Sequence, residues 1–519
     1  MSDDNHGGMG ERGVSRPMAH GSGDHDGGDG GDGSMSPGQR EKMLHMHHKK
    51  TLWCYWTVIL LGLWTMSAPF TFGYLGEAAD LGREVWMSDN VRIWGMVASE
   101  IISGLVLVVF GWRSLKPGRP ISQWICCFAG IWLSAAPLLL WSPNAAAYLN
   151  ATVVGALVIA LTILIPGMPN MIMYMKMGGD LPKGWSYNPS SWAQRSVMIG
   201  LGFLGWLVSR YLGAFQLGYI DHMWDPFFGE GSRKVLMSNM SHMWPISDAG
   251  LGAFSYTFEF LMGWMGAPSR WRTMPWMVTF FGILVIPLGL THILLVISQP
   301  VIVGYWCTMC LLAAAIMLPM IPLEVDEVIA MGQHVKRRVD AGEPFWRVFW
   351  KGGDASEAGQ DERSPEFIEF HDRPLEVTKA AFWGMSWSWW LAACTAIGIW
   401  LMFAPTVFGF EKTIPADIHH LGGALIVTTS VISMGEVIRR GRYVNLLLGL
   451  IVGVGPWLFS GIGVTASILA SVAGALVIGL SLPLGPIRES YGSWNKRISN
   501  DPTDTPSPSR HAGAEPQHA

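Results

Sequence analysis

Apolar residues in this chain come in long runs, separated by shorter polar segments, rather than in the alternating or one-faced patterns of soluble strands and helices. A helix needs roughly 20 apolar residues to cross the hydrocarbon layer of a bilayer. About 12 such runs can be placed, centred near Leu60, Gly104, Trp132, Val158, Leu204, Phe258, Val285, Leu312, Thr395, Leu425, Gly449 and Ala475. The pattern predicts an all-α polytopic membrane protein. About 50 polar residues precede the first run, so no cleavable signal peptide is expected and the first helix inserts the chain.

The polar segments set the orientation. With the amino terminus inside, the inside segments hold Lys42, Lys49 and Lys50, then Arg113, Lys116 and Arg119, then Lys176 and Lys183. Arg270, Arg272, Lys336, Arg337, Arg338, Arg439, Arg440 and Arg442 continue the series on the same side. The opposite loops carry only Arg83, Arg92, Arg233, Lys234 and Lys412. This alternation follows the positive-inside rule and puts both termini in the cytoplasm.

Composition agrees, since 50% of the 519 residues are hydrophobic and 14% charged, against about a quarter charged in soluble domains. The net charge of −4 singles out no partner, and no nucleic-acid partner is expected. Residues 1–50, rich in Gly, Asp, His and Met, read as a disordered cytoplasmic tail. The string HMHH at His45–His48, with His6, His20 and His25 behind it, reads as a solvated tail rather than a metal site, and no metal is expected. Residues 326–378 read as a cytoplasmic linker with one short helix, and 488–519 as a second disordered tail.

Between these lie 51–170 and 380–487, which share an internal repeat. GLWTMSAP ends at Pro69, GIWLSAAP at Pro137, GIWLMFAP at Pro405 and a degenerate GLIVGVGP at Pro456. Each copy is followed by a helix with a small-residue patch: SGLVLV from Ser103, GALVIA from Gly155, GALIVT from Gly423 and GALVIG from Gly474. Small residues let helix backbones approach closely in lipid. The pattern resembles the SPW repeat membrane domain, with Ala-Pro in place of Ser-Pro in the three good copies. A packing frame is the role expected of it.

The middle, 190–325, breaks the repeat and carries the chemistry. GYWCTMCLL places Cys307 and Cys310 three residues apart in an apolar run, on one face of a helix. Counted from an external turn at Ser298–Pro300, they would lie about 10 and 15 Å inward at 1.5 Å per residue. Two buried small hydrophobes would give the same pattern, as expected for Cys54, Cys126, Cys127 and Cys394. The stretch GSRKVLMSNMSHMWPISDAGLGAFSY, Gly231–Tyr256, favours the redox reading. It resembles the first loop and second helix of the vitamin K epoxide reductase family, which has a Gly-Cys-x-x-Val-Leu-x-Ser stretch followed by Pro and a small-residue helix.

That resemblance implies a central four-helix bundle binding a quinone, of ubiquinone or menaquinone type, beside a Cys-x-x-Cys on its fourth helix. The active pair falls on Cys307 and Cys310, and the loop hydroxyl beside the quinone on Ser238. Cys310 would attack or complex the quinone, and Cys307 would resolve the product to a disulfide. The family's second cysteine pair is missing: Ser232 stands at one position, and the loop DHMWDPFFGEGS holds no cysteine. Either an extracytoplasmic thioredoxin-like protein exchanges directly with Cys307, or only a quinone site remains; the intact intramembrane pair favours the first. Arg210 and Glu259, at comparable depth, read as an ion pair more readily than as proton-handling groups. Glu100 receives no role.

The reading is therefore a membrane thiol-quinone oxidoreductase, in a bacterial cytoplasmic membrane, with a non-catalytic quinone-binding scaffold or transporter as the alternative. A haem protein would need facing histidine pairs, and only His292 and His419-His420 lie in or beside the runs. A reporter fused after Ala519 or within 340–375 should read cytoplasmic, and one near Glu230 external. A cytoplasmic signal at Glu230 would place the cysteine pair on the wrong side.

Overall fold

The computed structural model describes residues 37–75, 87–166, 180–353, 361, 363–365, 367–410 and 412–498. His6, His20, His25, Arg83 and Lys176 lie outside them, as do residues 499–519 of the carboxyl-terminal tail. Met1–Met46 forms one unit, helical from Pro37 where described, and His47–Ala519 forms the other.

The helices are α1 (Pro37–Lys50), α2 (Leu52–Thr71), α3 (Asp89–Ser114), α4 (Pro120–Leu139), α5 (Ala145–Leu164), α6 (Trp192–Gln216), α7 (Gly231–Leu236) and α8 (Asp248–Gly263). They continue with α9 (Pro275–Ile302), α10 (Thr308–Asp340), α11 (Trp389–Phe408), α12 (Ile414–Ile432), α13 (Val444–Leu458) and α14 (Val464–Ser481). Among the described residues ten helices are long and apolar enough to cross a membrane. Two others, α8 and α12, lie lengthwise along α6 and α11. The described chain has no β-strand, only two isolated bridges. It is an all-α integral membrane protein.

The repeats form four hairpins, α2/α3, α4/α5, α11/α12 and α13/α14. Their motif glycines meet across each hairpin: Gly62 with Gly104, Gly130 with Gly155, Gly398 with Gly423 and Gly449 with Gly474. A Cβ added at any of them would come within 2.9 Å of the facing glycine's carbonyl oxygen. With no water to expel between helices in lipid, this backbone contact is what holds a hairpin together. The motif proline lies two or three residues from each helix end, at Pro69 before Thr71, Pro137 before Leu139, Pro405 before Phe408 and Pro456 before Leu458. Its missing N–H and its ring against the preceding turn account for the helix stopping there.

The middle segment packs as α6 against α8 and α10, with α9 along α10. Toward the Asp340 end of α10, Asp326 and Glu327 are buried and held. Glu327 takes both Arg270 Nε and Nη2 at 2.6 Å, and the Ser190 hydroxyl at 2.8 Å. Tyr187 donates to Asp326 at 2.5 Å, and Tyr491 to Glu436 at 2.9 Å. Arg195 donates to the carbonyls of Gly263, Met265 and Gly266, closing the end of α8.

Three expectations need correction. Residues 37–50 of the tail read as disordered form α1, whose last turn is anchored: the imidazoles of His47 and His48 lie 2.8 and 3.0 Å from the carbonyl oxygens of Pro166 and Leu115. The linker read over 326–378 begins as fifteen more residues of α10, because Asp326 and Glu327 find buried partners in Tyr187 and Arg270. The tail read from 488 is packed as far as Ile498, since the backbone N–H groups of Arg488 and Glu489 donate to Glu436 and Tyr491 is fully buried.

Gly423→Val, which drives a side chain into the Gly398 backbone, should lower stability by about 1–3 kcal/mol, the usual cost of overpacking. Gly479→Val, facing open space, should cost far less; thermal unfolding in detergent compares the two.

Candidate active site

α9 runs on through Pro300 to Ile302, and the chain turns over Val303–Trp306 before α10 begins at Thr308. Gly304 takes φ +81° in this turn, a left-handed conformation open to glycine at no steric cost. The turn is later than the Ser298–Pro300 position expected, because a proline in the last turn of a helix does not end it at once. Cys307 is consequently the residue capping α10, at the helix start rather than 10 Å inside it. It accepts the backbone N–H of Cys310 at 3.1 Å.

Cys307 and Cys310 form a disulfide, with Cα atoms 5.2 Å apart. Cys307 is 0% and Cys310 6% exposed, so neither sulfur is open to solvent. The other described cysteines, Cys54, Cys126, Cys127 and Cys394, are free and buried in the hairpins. The unpaired N–H groups and positive end of the α10 dipole converge on Cys307, which favours negative charge there.

The loop between α6 and α8 folds over this corner. Gly231, first residue of α7, sits against the carbonyl of Trp306 with no room for a Cβ. Ser232, where the resemblance called for a cysteine, is fully buried. Asp225 ties loop to helix: it accepts N–H groups of Phe228 at 2.9 Å and Ser232 at 2.8 Å, and the hydroxyl of Thr308, between the two cysteines. Partial burial works to raise the pKa of the Asp225 carboxyl, but the hydrogen bonds from Thr308, Ser232 and Phe228 outweigh it and hold the group below its ordinary range. Ser238 is half-buried just past α7 and donates to Val235 O at 2.7 Å, inside its own turn. Val235 and Leu236 share one apolar cluster with both cysteines.

A third wall comes from the second pair of hairpins. Phe403 of α11 stacks on Phe228 of the loop at 6.1 Å and contacts Trp306 at 5.8 Å. His420 of α12 meets Trp306 edge-on at 5.6 Å, with its Nδ1 2.6 Å from Met402 O. Deeper in, Tyr256 of α8 donates to Ala313 O, one turn beyond Cys310, at 3.0 Å and packs edge-on against His292 at 6.2 Å. Trp306 keeps a buried indole N–H with no acceptor.

Arg210 and Glu259 do not pair. Arg210 donates to Thr152 at 2.6 Å and lies over the Trp206 ring, while Glu259 receives only a 3.5 Å contact from Ser255. They lie on neighbouring helices, but Arg210 reaches out to α5 instead. Sequence reasoning missed Asp225, Phe403 and His420. Asp225 had no signal but its place in the cysteine-free loop, and the other two belong to helices read only as frame. A separate cleft, lined by Trp400, Phe408, Phe410, His419, Leu469 and Ala470, takes none of its walls from the middle segment.

Comparison with known families places these features. Residues 196–325 match the vitamin K epoxide reductase family, and residues 52–164 and 386–483 match the SPW repeat domain. The chain thus carries a domain of the vitamin K epoxide reductase family, a family of membrane thiol-quinone oxidoreductases, between two SPW repeat regions. No curated protein and no solved structure matches it.

Proposed function

We propose that the central domain couples the Cys307–Cys310 pair to a membrane quinone and exchanges thiols with an extracytoplasmic thioredoxin-like protein. The observation that carries this reading is a pair of cysteines, bonded to each other, at a buried helix start within the family domain. In the dithiol form, the Cys310 sulfur attacks the quinone ring and Cys307 then attacks the Cys310 sulfur. The quinol leaves with the electron pair of the broken carbon–sulfur bond. Two electrons and the two thiol protons pass to the quinone, so the step balances without another reductant. A partner dithiol restores the pair by attack on Cys307, ending as a disulfide itself.

The protein's contribution is environment. The α10 amino terminus favours negative charge on the Cys307 sulfur. The Trp306 indole N–H is the donor offered to a quinone carbonyl, and the Ser238 hydroxyl becomes a second by turning from Val235 O. The loop and Phe403 exclude water from the sulfurs. The basic-loop asymmetry supports an external position for this site and a cytoplasmic one for both termini. The missing loop cysteines leave Cys307 as the sulfur a partner meets. They also support the second reading, a quinone-binding scaffold or transporter without turnover.

Replacing both cysteines by Ala should leave assembly and thermal stability nearly unchanged, since a disulfide closing so short a loop stabilises little. Thiol-dependent quinol formation should vanish. Ser238→Ala should slow it only about fivefold, the equivalent of one net hydrogen bond of about 1 kcal/mol. Cys310→Ala mixed with the oxidised, disulfide form of the partner should accumulate a mixed disulfide through Cys307, since no Cys310 thiol remains to resolve it. Wild-type protein giving no quinol with any small dithiol decides for the scaffold.

A further inference from the structure

The loop carboxylate Asp225 bears on the cysteine pair in two ways that its hydrogen bonds do not by themselves explain. Its acceptors are filled by donors from two places: the loop, through Phe227, Phe228 and Ser232, and the first residue of α10, through Thr308. The Thr308 bond is the one through which Asp225 holds the helix start, because its other donors are all loop residues. Gly231 lies against the carbonyl of Trp306, next to Cys307, so the loop that Asp225 holds down is the one that covers the sulfur.

The second effect is electrostatic. The hydrogen bonds keep Asp225 ionised through the neutral range. Its charge is then fixed one residue from Cys307, at the same helix end whose dipole favours a Cys307 thiolate. A carboxylate beside a thiol favours the neutral form. His420 faces Trp306 from α12 with its Nδ1 on Met402 O, and the charged groups near the loop are spent elsewhere or exposed. Glu230 and Arg233 pair with each other at 3.3 Å in solvent, and Lys234 lies over the Tyr305 ring at 3.9 Å. Lys412 also lies toward Tyr305, and Asp221 and His222 are exposed on the loop.

We propose that Asp225 is a positioning residue for the cysteine pair, latching the loop over Cys307 through Thr308 and holding the reduced Cys307 as a thiol against the pull of the helix end. The consequence is a guarded nucleophile. Reduced Cys307 stays quiet under the closed loop, and a partner dithiol reaches the Cys307 sulfur of the disulfide only by lifting the loop and carrying the carboxylate away. This deepens the thiol-quinone reading and rests on it for its purpose, although the thiol chemistry itself can be measured without any quinone.

The experiment is the pH dependence of Cys307 alkylation in the reduced, full-length protein in detergent, quantified on the Cys307 peptide. In Asp225→Asn the midpoint should fall by about half a pH unit or more, the effect of removing one nearby charge at a partly solvated boundary. Asp225→Glu should restore the wild-type midpoint. Thr308→Val, which opens the latch but keeps the charge on the loop, should raise the high-pH rate severalfold with a smaller change of midpoint. A loop that is merely structural would change rates without moving the midpoint in Asp225→Asn. That outcome overturns the electrostatic half, and an unchanged high-pH rate in Thr308→Val overturns the latch even if Asp225→Asn fails to fold. A shifted midpoint in protein that forms no quinol would leave Asp225 in this role and remove the quinone reading alone.

Discussion

The buried ion pair between Glu327 and Arg270 sets the position of everything else along α10. Both side chains are at most 3% exposed, and the pairing is two-pronged, with Ser190 supplying a further donor. Breaking such a pair leaves an uncompensated buried charge at a cost of about 3–5 kcal/mol. Sliding α10 by one residue would break it, so the helix has one register. Since α10 is a continuous helix of 33 residues, fixing its Asp340 half at Glu327 also fixes Cys307 at the opposite end, about 30 Å away at 1.5 Å per residue.

The same end of α10 joins the chain's separate segments. Asp326 takes Tyr187 from before the central bundle, and Glu436 takes Tyr491 from after the last hairpin and Ser386 from before α11. Arg439 and Arg442 hold carbonyls around Met434 and Leu484. Polar groups buried this deeply must find partners, and the partners here come from distant parts of the sequence. The described residues around Asp326 and Tyr491, read as linker and tail, are packed for this reason.

At the opposite end the site is composite. The cysteines and Trp306 come from the central domain, the cover from its loop, and Phe403 and His420 from the second repeat region. The repeat hairpins are held by glycine backbones in contact, which leaves their large side chains free to face outward or toward the bundle. A frame packed in this way can lend an aromatic wall to its neighbour without changing its own core.

The all-α membrane class, the repeat hairpins, their meeting glycines and the cysteine pair could be read from the chain because each rests on local spacing: run length against bilayer thickness, small residues at fixed offsets, two sulfurs three residues apart. Helix α8, at 16 residues, shows where run length stops counting spans. The turn before Cys307 was misplaced because a proline near a helix end permits more than one stopping point, and Gly304 decided among them. Asp225 on Thr308, Phe403 on Trp306, Arg270 on Glu327 and the separation of Arg210 from Glu259 were beyond reach, for each depends on which helices become neighbours and how they are rotated. Spacing along the chain determined which helices form and which carries the sulfurs. Only tertiary packing decided what charge, hydroxyl and ring face them, because those contacts join residues that no local periodicity relates.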